Sequence, residues 1–199
     1  MVLISGLFPT KYSSLNIKLI SSFDRFVIND GFYSVFFDVM VSQKLGHVQV
    51  QNPKYAKTKS LYETITQSDQ ILKKIKDSEK STAVTGRLYS SALVSVGGDT
   101  EEEEGEKSGA GQVIGINPAD EKNVTTLYKQ IETGNYLSDE AKKEVIIGIT
   151  LSDELGSKVG DDLFVFTQGV DGSPAYDLYN IVGVYKSGST IMDRGFQVH

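Results

Sequence analysis

Among the side chains able to do chemistry, the acids between Asp99 and Glu106 form the densest group. Six carboxylates face one lysine, Lys107, so this stretch carries −5 of the chain's net −6. A calcium loop spaces its carboxylates around a tight glycine turn so that they converge on one ion. The consecutive Glu101, Glu102, Glu103 and Glu104 instead repel and point in different directions, which reads as a solvated loop. The run Gly109-Ala110-Gly111-Gln112-Val113-Ile114-Gly115 has a superficial likeness to a dinucleotide-binding loop. Its spacing is GxGxxxG, and a strand follows where a helix N-terminus would have to meet the phosphates. It reads as a flexible approach to a strand.

The remaining candidates also read as structure. His47 has neither a nucleophile nor a carboxylate beside it, and a base needs one. His199 is simply the last residue. Asp161-Asp162 and Asp171 resemble paired carboxylates, but Gly160-Asp161 and Asp171-Gly172 are turn chemistry, in which aspartate bonds its own backbone. Arg87, after Gly86, reads as a strand arginine that faces solvent or pairs with a neighbour. The cluster Phe32, Tyr33, Phe36 and Phe37 reads mostly as core. Cysteine is absent, which excludes disulfides, thiolate metal sites and cysteine nucleophiles. No catalytic residue, cofactor-binding residue or metal ligand is therefore assigned, and no cofactor is expected.

The elements that would position such residues come from a chain of 199 residues, enough for one domain or one domain with a small second lobe. Its 19 glycines against 4 prolines point to many turns and hence a strand-rich fold. Outside the acidic run the chain is nearly neutral, so no basic face for nucleic acid is expected. No window approaches ~18 uninterrupted apolar residues, the length of a membrane-spanning helix. The apolar start, residues 1–23, is broken by Pro9, Lys11, Asn16 and Lys18 and makes a poor signal peptide.

Periodicity predicts a helix from Asn29-Asp30 to about Leu45, and a half-buried strand over His47–Gln51. A helix follows over Leu61–Asp77, with Ser68 or Asp69 starting its stronger part and Ile71, Leu72 and Ile75 as its buried stripe. Strand character runs through Ser81–Val96, with Gly86 as a bulge. Residues Gly97–Gly111 read as a mobile loop and Gln112–Ile116 as a strand. Asp120–Glu132 reads as a helix stopped by Gly134. The best-defined module is 145–163: an apolar strand, one short helix carrying Leu151 and Leu155, and a tight turn at Val159-Gly160-Asp161. It leads into a hairpin of Phe164–Thr167 with Tyr176–Tyr185, turning at Asp171-Gly172.

In order, these pieces resemble a known family. The residues are Asp30-Gly31-Phe32, Gly46-His47-Val48-Gln49-Val50, Pro53-Lys54-Tyr55, Val84-Thr85-Gly86-Arg87, Gly115-Ile116-Asn117-Pro118 and Glu121. They continue with Gly134-Asn135-Tyr136-Leu137, Ile147-Gly148, Leu151, Leu155, Val159-Gly160-Asp161 and Val182-Gly183-Val184. Over residues 30–195 the chain resembles the extracytoplasmic, periplasmic core domain of ABC transporter permeases of the lipoprotein-releasing, macrolide-exporter and FtsX-like type. The resemblance implies an α+β fold, a mixed α/β porter-like lobe with an inserted small, mostly β lobe. It implies an unassigned segment 1–28, the porter-like lobe at 29–132, the inserted lobe at 133–187, and a truncated return to the first lobe at 188–199. The family's membrane helix before the Asp30 position and its later segments are not supplied, so the chain reads as an incomplete permease.

The implied function is not enzymatic. Family members couple the work of a cytoplasmic ATPase to motion of the extracytoplasmic domain, for lipoprotein release or substrate export. The implied partners are that ATPase subunit, the membrane helices of the intact transporter, a lipoprotein or periplasmic chaperone, and a second protomer in a homo- or heterodimer. The implied place is the periplasmic face of the inner membrane. The chain has no Walker motif of its own. The alternatives are a freestanding soluble interaction module and a small hydrolase using Asp161 or His47.

Overall fold

The computed structural model describes residues 46, 48–58, 60, 62–78, 83–97, 107–140, 142–169 and 171–199, all within the unit 42–199. Among these residues there are seven strands: β1 (Arg87–Val96), β2 (Lys107–Ile116), β3 (Ile131–Gly134), β4 (Glu144–Gly148), β5 (Asp162–Gln168), β6 (Pro174–Tyr185) and β7 (Phe196–Val198). The helices are short: α1 (Pro53–Thr58), α2 (Ser68–Lys76), α3 (Pro118–Val124) and α4 (Ile149–Leu155), with 3-10 turns at Leu127–Gln130 and Met192–Arg194.

Six strands close into a barrel in the order β6-β4-β7-β2-β1-β5, and β5 pairs back onto β6. The ring closes because β6 is long. Its first half, from Pro174 to Asn180, pairs antiparallel with β5, while Asn180–Tyr185 pairs parallel with β4. The short β7 fills the gap between β2, to which it is parallel, and β4, to which it is antiparallel. β3 is an extra strand on the far half of β6. Closure pairs strand edges that an open sheet would leave exposed.

The barrel interior holds one apolar cluster, including Val94, Val145, Ile147, Leu163, Val165, Ile181 and Phe196. Leu151 and Leu155 of α4 enter the same cluster, so α4 plugs the barrel. Gly148, where β4 becomes α4, is required by packing: a Cβ there would lie 2.2 Å from the Asp193 carbonyl oxygen. A second cluster lies outside the barrel wall. Ile116, Ile146 and Tyr185 project outward and are covered by Leu127 and Leu137 from the segment between β2 and β4.

Several expectations are corrected. The fold is a mostly β closed barrel, not a mixed α/β porter-like lobe with an inserted β lobe. Strands on both sides of residue 132 share one ring, because β1 and β2 must complete the wall that β4–β7 leave open. The stretch 107–111, read as part of a mobile loop, is the first half of β2. Its glycines serve close packing, since a Cβ on Gly111 would lie 2.8 Å from the Arg194 carbonyl oxygen. The helix read over Asp120–Glu132 ends at Val124, and β3 begins at Ile131. Thr125 leaves helical geometry (φ −127°, ψ 166°) while its hydroxyl donates to Glu121 at 2.8 Å. Residues 48–51 are not a strand, and Val48 and Val50 are exposed, for no strand among the described residues pairs with them. The helix read over 30–45, and the cluster Phe32–Phe37 within it, lie outside the described residues.

Other readings match, whereas α1 and β7 have no counterpart in the sequence pattern. α2 matches the stronger part of its helix, β4–α4 matches the module at 145–163, and the β5–β6 hairpin turns through Gly172 at φ +84°. Among the described residues, no helix is long and apolar enough to cross a membrane.

Candidate functional site

The titratable candidates are taken up locally. Asp161 accepts the Lys158 backbone N–H at 2.7 Å, and Asp171 accepts both the N–H and the hydroxyl of Ser173, at 3.1 and 2.6 Å. These are turn contacts, and they hold the Asp171 carboxyl below its ordinary range, chiefly through the Ser173 hydroxyl. Asp162 accepts the Asn180 amide at 3.3 Å across the β5–β6 pair. His199 Nδ1 lies 3.0 Å from the Glu140 carbonyl oxygen and ties the end of the described chain to the loop before β4. His47 and the acids 99–106 lie outside the described residues. Among the described residues, no group of three or more His, Cys, Asp or Glu side chains is placed to hold a metal ion.

Arg87 takes the second of its two expected places, paired with a neighbour rather than facing solvent. At the start of β1 its guanidinium forms two bonds to Glu121 of α3, 2.5 and 3.1 Å long, with side chains only 13 % and 2 % exposed. Burial alone would lower the Arg87 pKa, but the Glu121 carboxylate outweighs it and the pKa lies above its usual value. Asn117 caps α3 by accepting the N–H groups of Ala119 and Asp120, and Pro118 occupies the first helical position. Arg87 and the motif residues Asn117, Pro118 and Glu121, some thirty positions later, thus build one junction between β1 and α3. The junction is structural. The pair is nearly closed to solvent, and its charges are spent on each other.

Asp193 is similar. It is 5 % exposed and accepts the Ser187 N–H at 2.7 Å and hydroxyl at 2.6 Å, fixing the loop between β6 and β7. Tyr185 donates its hydroxyl toward the Met192 and Gly195 carbonyls at 2.7 and 3.0 Å. Burial, then the Asp193 charge, raise the Tyr185 pKa.

What the barrel presents outward on β1, β5 and β6 has a different chemistry. In β5, Leu163 and Val165 face in, while Phe164 and Phe166 face out and are 40 % and 42 % exposed. Register aligns Leu93, Phe166 and Tyr176 in one row across three strands, and Phe164 beside Leu178 in the next. The Phe164 and Tyr176 rings stack with centroids 6.1 Å apart. Toward β2, Ala110 and Ser91 are small, and here the face opens into a groove of about 710 Å³ bordered by Ile191, Arg194 and the Gln168–Pro174 turn. The floor carries no formal charge. Arg194 at the border is paired with Glu154 at 2.5 Å.

The sequence reading missed this surface. Leu163-Phe164-Val165-Phe166 reads as one apolar run, and the pattern alone does not say which alternate residues are left uncovered. The available signal was that a run apolar on both faces needs a cover on both, and no segment could be assigned to the second face.

No protein-family model matches the chain, and no curated protein matches it.

Proposed function

We propose that the chain is a non-catalytic binding domain that works through protein–protein contacts, as part of the extracytoplasmic portion of an ABC transporter permease. The observation that carries the binding reading is the uncharged apolar face of β1, β5 and β6, on which five large apolar side chains stand open. Contiguous exposed apolar surface marks interaction sites in soluble proteins. The permease reading rests on the ordered motif residues alone, since the lobed fold that the resemblance implies is not the fold found. Its support is that Arg87, Asn117, Pro118 and Glu121 act together in space.

The occupant we assign to the face is an extended, uncharged, apolar stretch of a partner protein, such as a client lipoprotein's chain. Three strands at their ordinary spacing and five residues of length give roughly 250 Å². A stable domain-sized partner or second copy needs about 800 Å² on each side. A single extended segment fits the smaller area and takes no unpaired charge out of water.

A photo-crosslinking residue at Phe166, with Glu154 as the control position, tests this in the cells that make the protein. The reading predicts adducts at 166, and few at 154, with exported lipoprotein or with subunits of a membrane transporter. Adducts confined to soluble proteins outside any transporter would overturn the permease part while leaving binding in place. The absence of any adduct specific to 166 would overturn the binding part.

One observation favours the second reading, a freestanding interaction module. β7 fills the gap between β2 and β4, so the barrel closes without a strand from a further segment. The same experiment separates the two readings by the identity of the adducts. The hydrolase alternative loses its Asp161 candidate, whose carboxylate serves the Lys158 turn.

A further inference from the structure

Every buried residue among those described lies between Ala92 and Gln197. The described residues from 48 to 78 contribute none, although they run alongside the barrel and touch it at separated points. Near its middle, the Tyr62 hydroxyl donates to Gln168 Oε1 at 2.5 Å, at the end of β5. In α2, Leu72 lies over Gly86 just before β1, so that a Cβ on Gly86 would sit 3.1 Å from Leu72 Cδ1. At the end of α2, Lys76 reaches both carboxylate oxygens of Asp120 at 2.9 Å. That ion pair is exposed, 48 % and 33 %, and hence weak and screened by salt.

Within the segment the chain fastens to itself. Asn52 accepts the Lys54 N–H at 2.9 Å, and its amide donates to the Thr64 carbonyl at 2.8 Å. α1 is thereby tied to the turn that precedes α2. The stripe of α2, Ile71, Leu72 and Ile75, is only half-buried. A helix of nine residues is too short to persist in water without its docking surface.

We propose that the described residues from 48 to 78 form a detachable strap, which leaves the barrel as one unit while the barrel stays folded. The barrel keeps both its apolar clusters and its closed ring when the strap is off, since none of their residues comes from it. Release does two things. It uncovers Gly86 at the base of β1, and it frees Gln168, which lines the groove and whose amide holds the turn at Gly172. The strap therefore connects the β1–α3 junction to the rim of the groove, and its position changes what the groove presents. This inference stands on the contacts alone and does not depend on the transport reading.

Hydrogen exchange followed by mass spectrometry on the whole chain tests it. The expected result is that amides of Leu72–Asp77 exchange at least about tenfold faster than those of Val145–Gly148 and Ile181–Tyr185, through an opening that leaves the latter protected. Lys76→Ala, or added salt, should speed exchange in the strap several-fold and leave the barrel unchanged. Gly86→Trp should do so more strongly, by wedging Leu72 off its seat. Protection in the strap within tenfold of the barrel would overturn the proposal. So would a Lys76→Ala chain in which strap and barrel lose protection together, because the segment would then be part of one cooperative unit.

Discussion

β4 and β5 carry the same kind of apolar run, Val145-Ile146-Ile147 and Leu163-Phe164-Val165-Phe166, and meet different fates. In β4 all three side chains are fully buried, Val145 and Ile147 in the barrel and Ile146 under the segment from Leu127 to Leu137. In β5 the inward pair is buried to a similar degree, but the outward pair is exposed. The two faces thus divide the work. The covered face holds the fold together, and the bare face is free to meet a partner. Composition does not separate them. What separates them is which distant segment folds back over which strand.

The largest expected effect of breaking this division lies at the junction under the covered face. Glu121→Gln removes the negative charge beside the buried Arg87 guanidinium and should cost about 3–5 kcal/mol in urea unfolding. The double change Arg87→Met with Glu121→Leu should recover much of that loss, because it leaves no buried charge. Next, Leu127→Ala opens a hole over Ile146 and should cost about 2–5 kcal/mol by the same measurement.

A smaller effect belongs to Tyr185→Phe, which removes the one hydroxyl proton shared between the Met192 and Gly195 carbonyls and should cost about 1–2 kcal/mol. Its pH dependence sharpens the point. Burial raises the Tyr185 pKa, so the folded chain keeps a proton that the unfolded chain gives up above about pH 10. The contribution of Tyr185 is therefore complete below pH ~10 and is lost as pH rises through the folded pKa. The phenylalanine variant should lose stability less steeply than the parent between about pH 9 and 11, as read by denaturant midpoints.

Local patterns gave the module at 145–163 and the β5–β6 hairpin, because their turn residues, Gly160-Asp161 and Asp171-Gly172, act over a few positions. They also gave the stronger half of α2. They did not give the closed barrel, which depends on β7, three residues long, slotting between β2 and β4. Nor did they give the start of β2. Gly109 and Gly111 look like loop residues until Leu151 and Arg194 are known to lie against them. The false strand at 48–51 failed for the converse reason: its alternation is clear, but no edge accepts it. Of the site, the turn contacts of Asp161 and Asp171 could be read from turn spacing. The open face could not, because exposure of Phe164 and Phe166 is decided by where residues 118–137 pack, on the far side of the barrel.

The division between the faces is tested most directly by the unfolding free energy of the double variant Leu93→Ser with Phe166→Ser, measured in urea beside the parent chain. Both residues already stand partly in water, at 58 % and 42 % exposure, so the account predicts a loss below about 1 kcal/mol. A loss of about 2–5 kcal/mol, equal to that of Leu127→Ala, would contradict it, for it would mean that this face is core and not a surface held open for a partner.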